Sequence, residues 1–315
     1  MGTVALLTTC FILGVMALLL VASLNDSANS IVHDKRDAIL TAIRGYSVSV
    51  SSVFVRSWFK NVDNSELFIF TEIRPNTKQL WANHFPREEK SGRLHILNFN
   101  YSLWTFNEFQ MDRHVIYHDF LKRYPNRFRY VMTSDIRDVA FQSNPFENPF
   151  FRNYTTAPII FAQEDVFFGH ELYNEIWIRE VFGEDAFPDF IGKQISNSGV
   201  VMGPAASMMD YLRLLTTILP ANYKHDGGMD QGVHNYLLYE ILHKSLVKPF
   251  NYVVPSNGLV VFTVGSLSGF EEILGWNETL KVIFRQRWEL PPPPVVHQFD
   301  RNSFLDSRFK EMYAN

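Results

Sequence analysis

Chemistry is most readily placed where an apolar run turns acidic. Arg129 to Phe146 reads RYVMTSDIRDVAFQSNPF. Tyr130 to Met132 is a short apolar run, followed by Thr133, Ser134 and Asp135. A buried strand looks like this when it ends at a ligand site, because ligands of open α/β sheets sit beyond the carboxyl ends of the strands. Asp135 and Asp138 fall just past that end, with Arg137 between them. Two carboxylates and a guanidinium could hold a divalent cation and meet a phosphate. Mg²⁺ and Mn²⁺ prefer carboxylate oxygen, and Mg²⁺ commonly bridges carboxylates to substrate phosphates. The same three residues also suit a salt-bridged turn that closes a strand, and the stretch alone does not choose between the two.

The elements that must position these residues alternate along the chain. Ala38 to Ile43, Glu66 to Phe70 and Leu94 to Phe99 read as strands, and Val53 to Phe59 has helical spacing. Asp112 to Tyr124 reads as an amphipathic helix with Val115, Ile116, Phe120 and Leu121 as its apolar face, ended by Pro125-Asn126. Ala157 to Ala162 continues the strand series, with Gln163, Glu164 and Asp165 at its end. Phe167 to Phe182 has a helical pattern, and its stripe of Phe167, Phe168, Leu172, Ile176 and Val181 is expected in the core. Asn197-Ser198-Gly199 reads as a polar turn running into an apolar strand that ends at Met202. Ala205 to Leu219 and Asp230 to Leu242 read as helices, and Leu259 to Val264 as a strand. Pro291 to Pro294 is a stiff spacer leading into Val295-Val296-His297. Strands alternating with helices imply βαβ units, a mostly parallel sheet and an α/β fold.

Four islands therefore stand at strand ends or a helix start: Asp135/Asp138, Asn197-Ser198-Gly199, Asp230-Gln231 and His297. In this order they resemble the GT-A fold glycosyltransferases that use nucleotide sugars, in particular the glycogenin and galactinol synthase type, family eight. That type carries a DxD motif at a strand end, an NSG turn, DQ with an Asn, and a late His. Asp135 matches the last, metal-binding Asp of DxD, and Asn197-Ser198-Gly199 matches the NSG turn. Asp230-Gln231 with Asn235 matches the DQxxxN pattern, and His297 matches the late His. The resemblance runs from about residue 38 to residue 301. Thr133 stands where the first Asp of DxD would be. The family's late His is followed by Gly and Lys that help hold phosphate; here the nearest bases are Arg301, Arg308 and Lys310.

The resemblance implies a hexosyltransferase with a Mn²⁺ or Mg²⁺ ion and a nucleotide-diphosphate sugar donor. Asp135, His297 and Asp138 would hold the metal, with Arg137, Ser198 and Arg301 on the donor. Asp230, Gln231 and Asn197 would line the reacting centre. Arg137 could instead pair with Asp138, and Asp230 could be no more than a helix cap. The acceptor would be a glycan, protein or lipid, and retention and inversion both stay open. A non-catalytic relative that binds sugar or nucleotide is the alternative reading. A metal-dependent phosphatase or nucleotidyltransferase on a similar sheet is a third, disfavoured by the ordered set of islands.

Composition bounds the rest. The chain has 315 residues, 46% of them hydrophobic, which is enough for a large core. A net charge of −4 without a basic stripe disfavours non-specific nucleic-acid binding. Cys10 is the one cysteine, so no disulfide closes within the chain. Val4 to Ala22 is apolar and about long enough to span a bilayer, at about 20 residues. With sequons at Asn25, Asn100, Asn153 and Asn277 it leads to the expectation of a glycoprotein held by a signal anchor over 1–24 and a stem over 25–37. On that expectation a single GT-A domain over 38–315 faces the lumen of the Golgi or endoplasmic reticulum.

Overall fold

The structure is a computed structural model that describes residues 35–72, 76–99, 109–151, 157–218, 229–244, 250–265, 274–277, 279, 282–285 and 291–313. The apolar run at 4–22, the sequons at Asn25, Asn100 and Asn153, and the stretch 225–228, which reads in sequence as a glycine-bearing loop, lie outside the described residues. The first strand, β1 (Arg36–Ile43), starts two positions before the expected domain start at residue 38. Its side chains are buried from Asp37 onward. A 3-10 turn at Val48–Ser51 leads into α1 (Ser52–Asn61). β2 (Ser65–Glu72), α2 (Thr77–His84), α3 (Pro86–Lys90) and β3 (Leu94–Phe99) complete the first half. β1, β2 and β3 run parallel.

The chain then returns through α4 (Phe109–Arg123) to β4 (Phe128–Ser134), which pairs in parallel with the other side of β1. The strand order therefore reverses between β1 and β4, and a crevice opens at such a switch point. β5 (Val139–Phe141) leaves the sheet, and β6 (Ile159–Phe167) and α5 (Leu172–Phe182) follow. β7 (Gln194–Pro204) is inserted antiparallel between β4 and β6. α6 (Ala205–Thr217), α7 (Met229–Tyr236) with a π-helical continuation at Leu237–Leu242, and β8 (Tyr252–Val253) close the main sheet. Its order is β3-β2-β1-β4-β7-β6-β8.

β9 (Val261–Thr263) and β12 (Val295–His297) join β5 in a small sheet of order β5-β12-β9. β10 (Leu274–Asn277) and β11 (Val282–Arg285) form a hairpin, and α8 (Ser303–Met312) ends the described chain. One cluster, with Ile39, Trp58, Met132 and Met202, packs one side of the main sheet; another, with Leu40, Phe161, Tyr211 and Val233, packs the other. Val296, Phe299 and Phe309 pack the small sheet to α8.

Three expectations change. Asn197-Ser198-Gly199 lies inside β7 rather than in a turn before it. The buried side of α4 carries Asp112, Arg113 and His114 with Tyr117, Phe120 and Leu121, while Val115 and Ile116 are half-buried. Of the supposed core stripe, Phe168 and Val181 are buried but Phe167 and Leu172 are 45% and 64% exposed. The expected Golgi or endoplasmic-reticulum placement is corrected too: no helix among the described residues is long and apolar enough to cross a membrane.

Candidate metal and donor site

Asp135 follows the last residue of β4. Its backbone N–H donates to the Gly199 carbonyl at 2.8 Å, because Ser134 is paired with Val200 of β7. A short bend then carries the chain from the main sheet into β5. Asp138 is the residue just before β5, and β12 pairs antiparallel with β5 so that His297 faces Val139. The two acids of the bend are thus delivered to one histidine by the junction of the two sheets. Nε2 of His297 lies 3.4 Å from Asp135 Oδ2 and 3.7 Å from Asp138 Oδ1. The three offer ligand atoms within 4.8 Å of one another.

The donor set fits a divalent cation. His297 is 1% exposed, yet neither of its ring nitrogens makes a hydrogen bond of standard geometry. A buried polar atom without a partner is costly, and a metal ion would satisfy it. Gly199 borders the same space: a Cβ there would lie 2.5 Å from His297 Cε1 and 2.6 Å from Asp135 Oδ2. One imidazole with two carboxylates suits Mn²⁺ better than Ca²⁺. After His297, Gln298 takes the left-handed backbone (φ 60°) that a glycine adopts without penalty. The turn brings the Phe299 N–H to the Asp138 carbonyl at 3.4 Å.

A second acidic point lines the same cavity. Asp230, in the first turn of α7, is buried. Its Oδ2 accepts from Arg113 Nη2 at 2.6 Å and from Ser198 Oγ at 3.2 Å, with His114 Nε2 at 3.6 Å. The other nitrogen of the Arg113 fork, Nη1, donates to Asp135 Oδ1. Burial works against ionising Asp230, but Arg113 and His114 overcome it and hold the carboxyl below the usual range. Asp135 behaves alike: burial opposes its charge, and Arg113 with His297 drives its carboxyl well below the usual range. Asp138 goes the other way, pushed up by burial and by the charge of Asp135 against the pull of His297.

Asn197 is oriented from both ends. Its Nδ2 donates to Glu164 Oε1 at 2.6 Å, and its Oδ1 accepts from the Gly199 N–H at 2.7 Å. Gln231 Nε2 donates to Asn174 Oδ1 at 2.8 Å and approaches Glu164 Oε1 at 3.4 Å. Asn235 explains the rest of the DQxxxN spacing. Its side chain takes the Ser196 N–H at 2.9 Å and gives to the carbonyls of Ser196 and Gln231, each at 2.8 Å. One turn of α7 therefore fixes both Gln231 and the backbone of β7 before Asn197.

A cavity of about 1110 Å³ gathers these groups. Asp135, Asp138, His297, Asn197, Ser198, Asp230 and Gln231 all line it, as do Arg137 and Arg301. Arg137 pairs with Asp138 at 3.1 Å and with Asp300 at 3.0 Å, which matches the pairing alternative read from the sequence. Sequence reasoning missed Arg113 and His114 and gave Glu164 no role beyond its place at a strand end; Glu164 is 4% exposed. A signal for Arg113 was present. It stands four positions before Tyr117, which stands three and four before Phe120 and Leu121, so all share a helix face.

No family description and no curated protein matches the sequence. Solved structures do. The bifunctional glycosyltransferase WbbM, in its apo structure, is 13% identical over 90% of this chain and 50% of its own, with a TM-score of 0.50. This chain thus spans half the length of WbbM. The galactosyltransferase LgtC, solved with donor and acceptor sugar analogues, is 14% identical over 88% of this chain and 95% of its own, with a TM-score of 0.49. At such identities the likeness is one of architecture, and in architecture the chain has the GT-A glycosyltransferase fold.

Proposed function

We propose that the chain is a metal-dependent glycosyltransferase that moves a hexosyl group from a nucleotide-diphosphate sugar to an acceptor hydroxyl. The carrying observation is the Asp135-Asp138-His297 cluster, with a buried imidazole that faces both carboxylates yet makes no hydrogen bond of standard geometry, at the end of β4 beside the switch point. When bound, the divalent cation would neutralise negative charge building on the leaving diphosphate. Asp135, Asp138 and His297 would hold it, and Arg301 on the same wall adds positive charge for the leaving group. Asp230 is ionised and already accepts from Arg113 and Ser198. A carboxylate so occupied is a poor proton acceptor, so its role in this reading is to take a sugar hydroxyl as donor and fix the sugar's orientation. Gln231 and Asn197, both locked by Glu164, present amide groups to the same space.

The test is binding and turnover on the purified chain with UDP-, GDP- and ADP-sugars, with and without Mn²⁺. The expected result is nucleotide release from one donor class, dependent on Mn²⁺. At metal about 100-fold above its Kd, mass action adds about 2.7 kcal/mol to the folded state. Asp138→Asn and His297→Gln should lose that gain. Binding of a nucleotide sugar without release of nucleotide would favour the non-catalytic alternative, and no metal effect on the melting temperature would remove the metal site.

A further inference from the structure

The far end of the cavity has a wall that the donor does not need. The sheet order places β1 and its loop on one side of β4, and β7, β6 and α5 on the other. A nucleotide belongs in the crevice at the β1/β4 switch point. The end of β1 at Ile43 and the loop after it, with Gly45 and Tyr46, line the cavity there. The opposite end is lined by Glu171, Tyr173, Asn174 and Trp177 at the start of α5.

Tyr173 and Trp177 are one helical turn apart, so they share a face. Their rings stand 6.3 Å apart at 35°, with Tyr173 65% exposed and Trp177 half-buried. A lone exposed aromatic is ordinary, but a pair on the wall of a polar cavity offers rigid apolar area at small entropic cost. Their placement is fixed. A Cβ on Gly232 would lie 3.0 Å from Trp177 Cβ, so α5 sits directly on α7 beside Gln231. Gln231 Nε2 also donates to Asn174 Oδ1 at 2.8 Å, tying the aromatic turn to the reacting centre. Glu171 Oε2 caps α5 by accepting from the N–H and Nδ2 of Asn174, each at 2.7 Å. Its Oε1 makes no hydrogen bond among the described residues.

We infer that Tyr173 and Trp177 form the acceptor subsite and that the acceptor is a saccharide. This rests on the glycosyltransferase reading. A pyranose has an apolar C–H face and a rim of hydroxyls. The face stacks on the tilted rings, and the rim meets Glu171 Oε1 and the amide oxygen of Gln231, which Asn174 holds in place. That seating aims a hydroxyl toward Gln231 and the sugar held at Asp230. An acyl chain would cover the rings but leave Glu171 Oε1 without a partner, which is unfavourable.

The test uses the full chain and four disaccharide probes: maltose, lactose, cellobiose and chitobiose. Saturation-transfer NMR should show at least one bound, with its ring C–H protons receiving the most saturation. Tyr173→Ala should weaken that binding by about tenfold or more, as loss of a stacking anchor does. Tyr173→Phe should restore it. Tyr173 is exposed, so the Ala variant should keep the wild-type melting temperature, and Trp177→Phe gives a second, milder probe. Failure of all four probes to bind, or wild-type affinity in Tyr173→Ala, would overturn the subsite. Mn²⁺-dependent nucleotide binding is measured separately on the wild type. Its absence with saccharide binding intact would sink the transferase reading and leave a saccharide-binding wall.

Discussion

One guanidinium, that of Arg113, joins Asp135 and Asp230, two carboxylates that line the cavity from different elements. Asp135 belongs to the β4/β5 bend and Asp230 to α7, so the fork ties together the two halves of the site. The pair is buried at Arg113 and Asp230, and Asp135 keeps 31% of its side chain open to the cavity. Removing the base would leave two close carboxylates facing each other. Arg113→Met should therefore cost roughly 3 kcal/mol of stability, the scale for breaking a buried ion pair from one side. Arg113→Lys should recover only part, because one ammonium cannot reproduce a fork to two acceptors. Urea unfolding reads both, and a wild-type midpoint in Arg113→Met would show that the bridge holds nothing.

Gly199 is a spatial requirement of the metal cluster. A methyl group there would press on His297 Cε1 and Asp135 Oδ2. Gly199→Ala should abolish the Mn²⁺-dependent rise in melting temperature and cost about 1–3 kcal/mol through overpacking. Isothermal titration with Mn²⁺ measures the first effect directly. Unchanged affinity would mean that Gly199 is needed only by the strand.

The order Asp135, Asn197, Asp230, His297 was legible in sequence because each reads as standing at a strand end or a helix start. The sheet junction that unites Asp138 with His297 was not. β5, β9 and β12 are only three residues each, and β12 follows its partner β5 by most of the chain's second half. Asn197-Ser198-Gly199 read as a turn because polar residues and glycine usually mark one. Inside β7 that cost is removed by Glu164, Gln231 and Asn235, which come from β6 and α7 and are invisible to a local pattern. Arg113 was hidden because Val115 and Ile116 drew the apolar face of α4 to the wrong side. Phe167 and Leu172 failed as core for the converse reason: hydrophobicity says what can be buried, and the end of β6 and the start of α5 leave them at the surface.

Acid stability should be governed in part by His234. Its Nε2 meets Ser196 Oγ at 2.8 Å and its Nδ1 meets Tyr211 Oη at 2.8 Å. Burial pushes its pKa down to about 3, with the charge of Asp230 opposing and that of His114 assisting. The unfolded chain binds this proton below about pH 6.5 and the folded chain does not until about pH 3. The unfolded state therefore carries more protons across that window, and stability falls as pH drops, by up to about 1.4 kcal/mol per unit. Above pH 6.5 the contribution is complete. In His234→Gln the stability curve should be flatter between pH 6 and pH 4 than in the wild type, by chemical denaturation at each pH. Parallel curves would mean that His234 titrates normally.

Asn235 stands in for a strand neighbour. It is fully buried, and its amide answers both the N–H and the carbonyl of Ser196, the residue immediately before Asn197. Asn235→Ala would strand those two backbone groups away from water, at about 1–3 kcal/mol each where no other partner is found. Asn235→Asp should be no better, because a carboxylate cannot donate to the carbonyls of Ser196 and Gln231, and its charge would be buried against them. The urea midpoint should fall in both with the slope unchanged, since the same surface is exposed on unfolding. Mn²⁺ affinity separates local from global damage. Asn235 makes no hydrogen bond to Asp135, Asp138 or His297, so metal binding to the folded fraction should persist while nucleotide release slows through misplacement of Asn197 and Gln231. Loss of Mn²⁺ affinity in step with activity would instead mean that β7 as a whole, through the Gly199 carbonyl that holds Asp135, depends on this one amide.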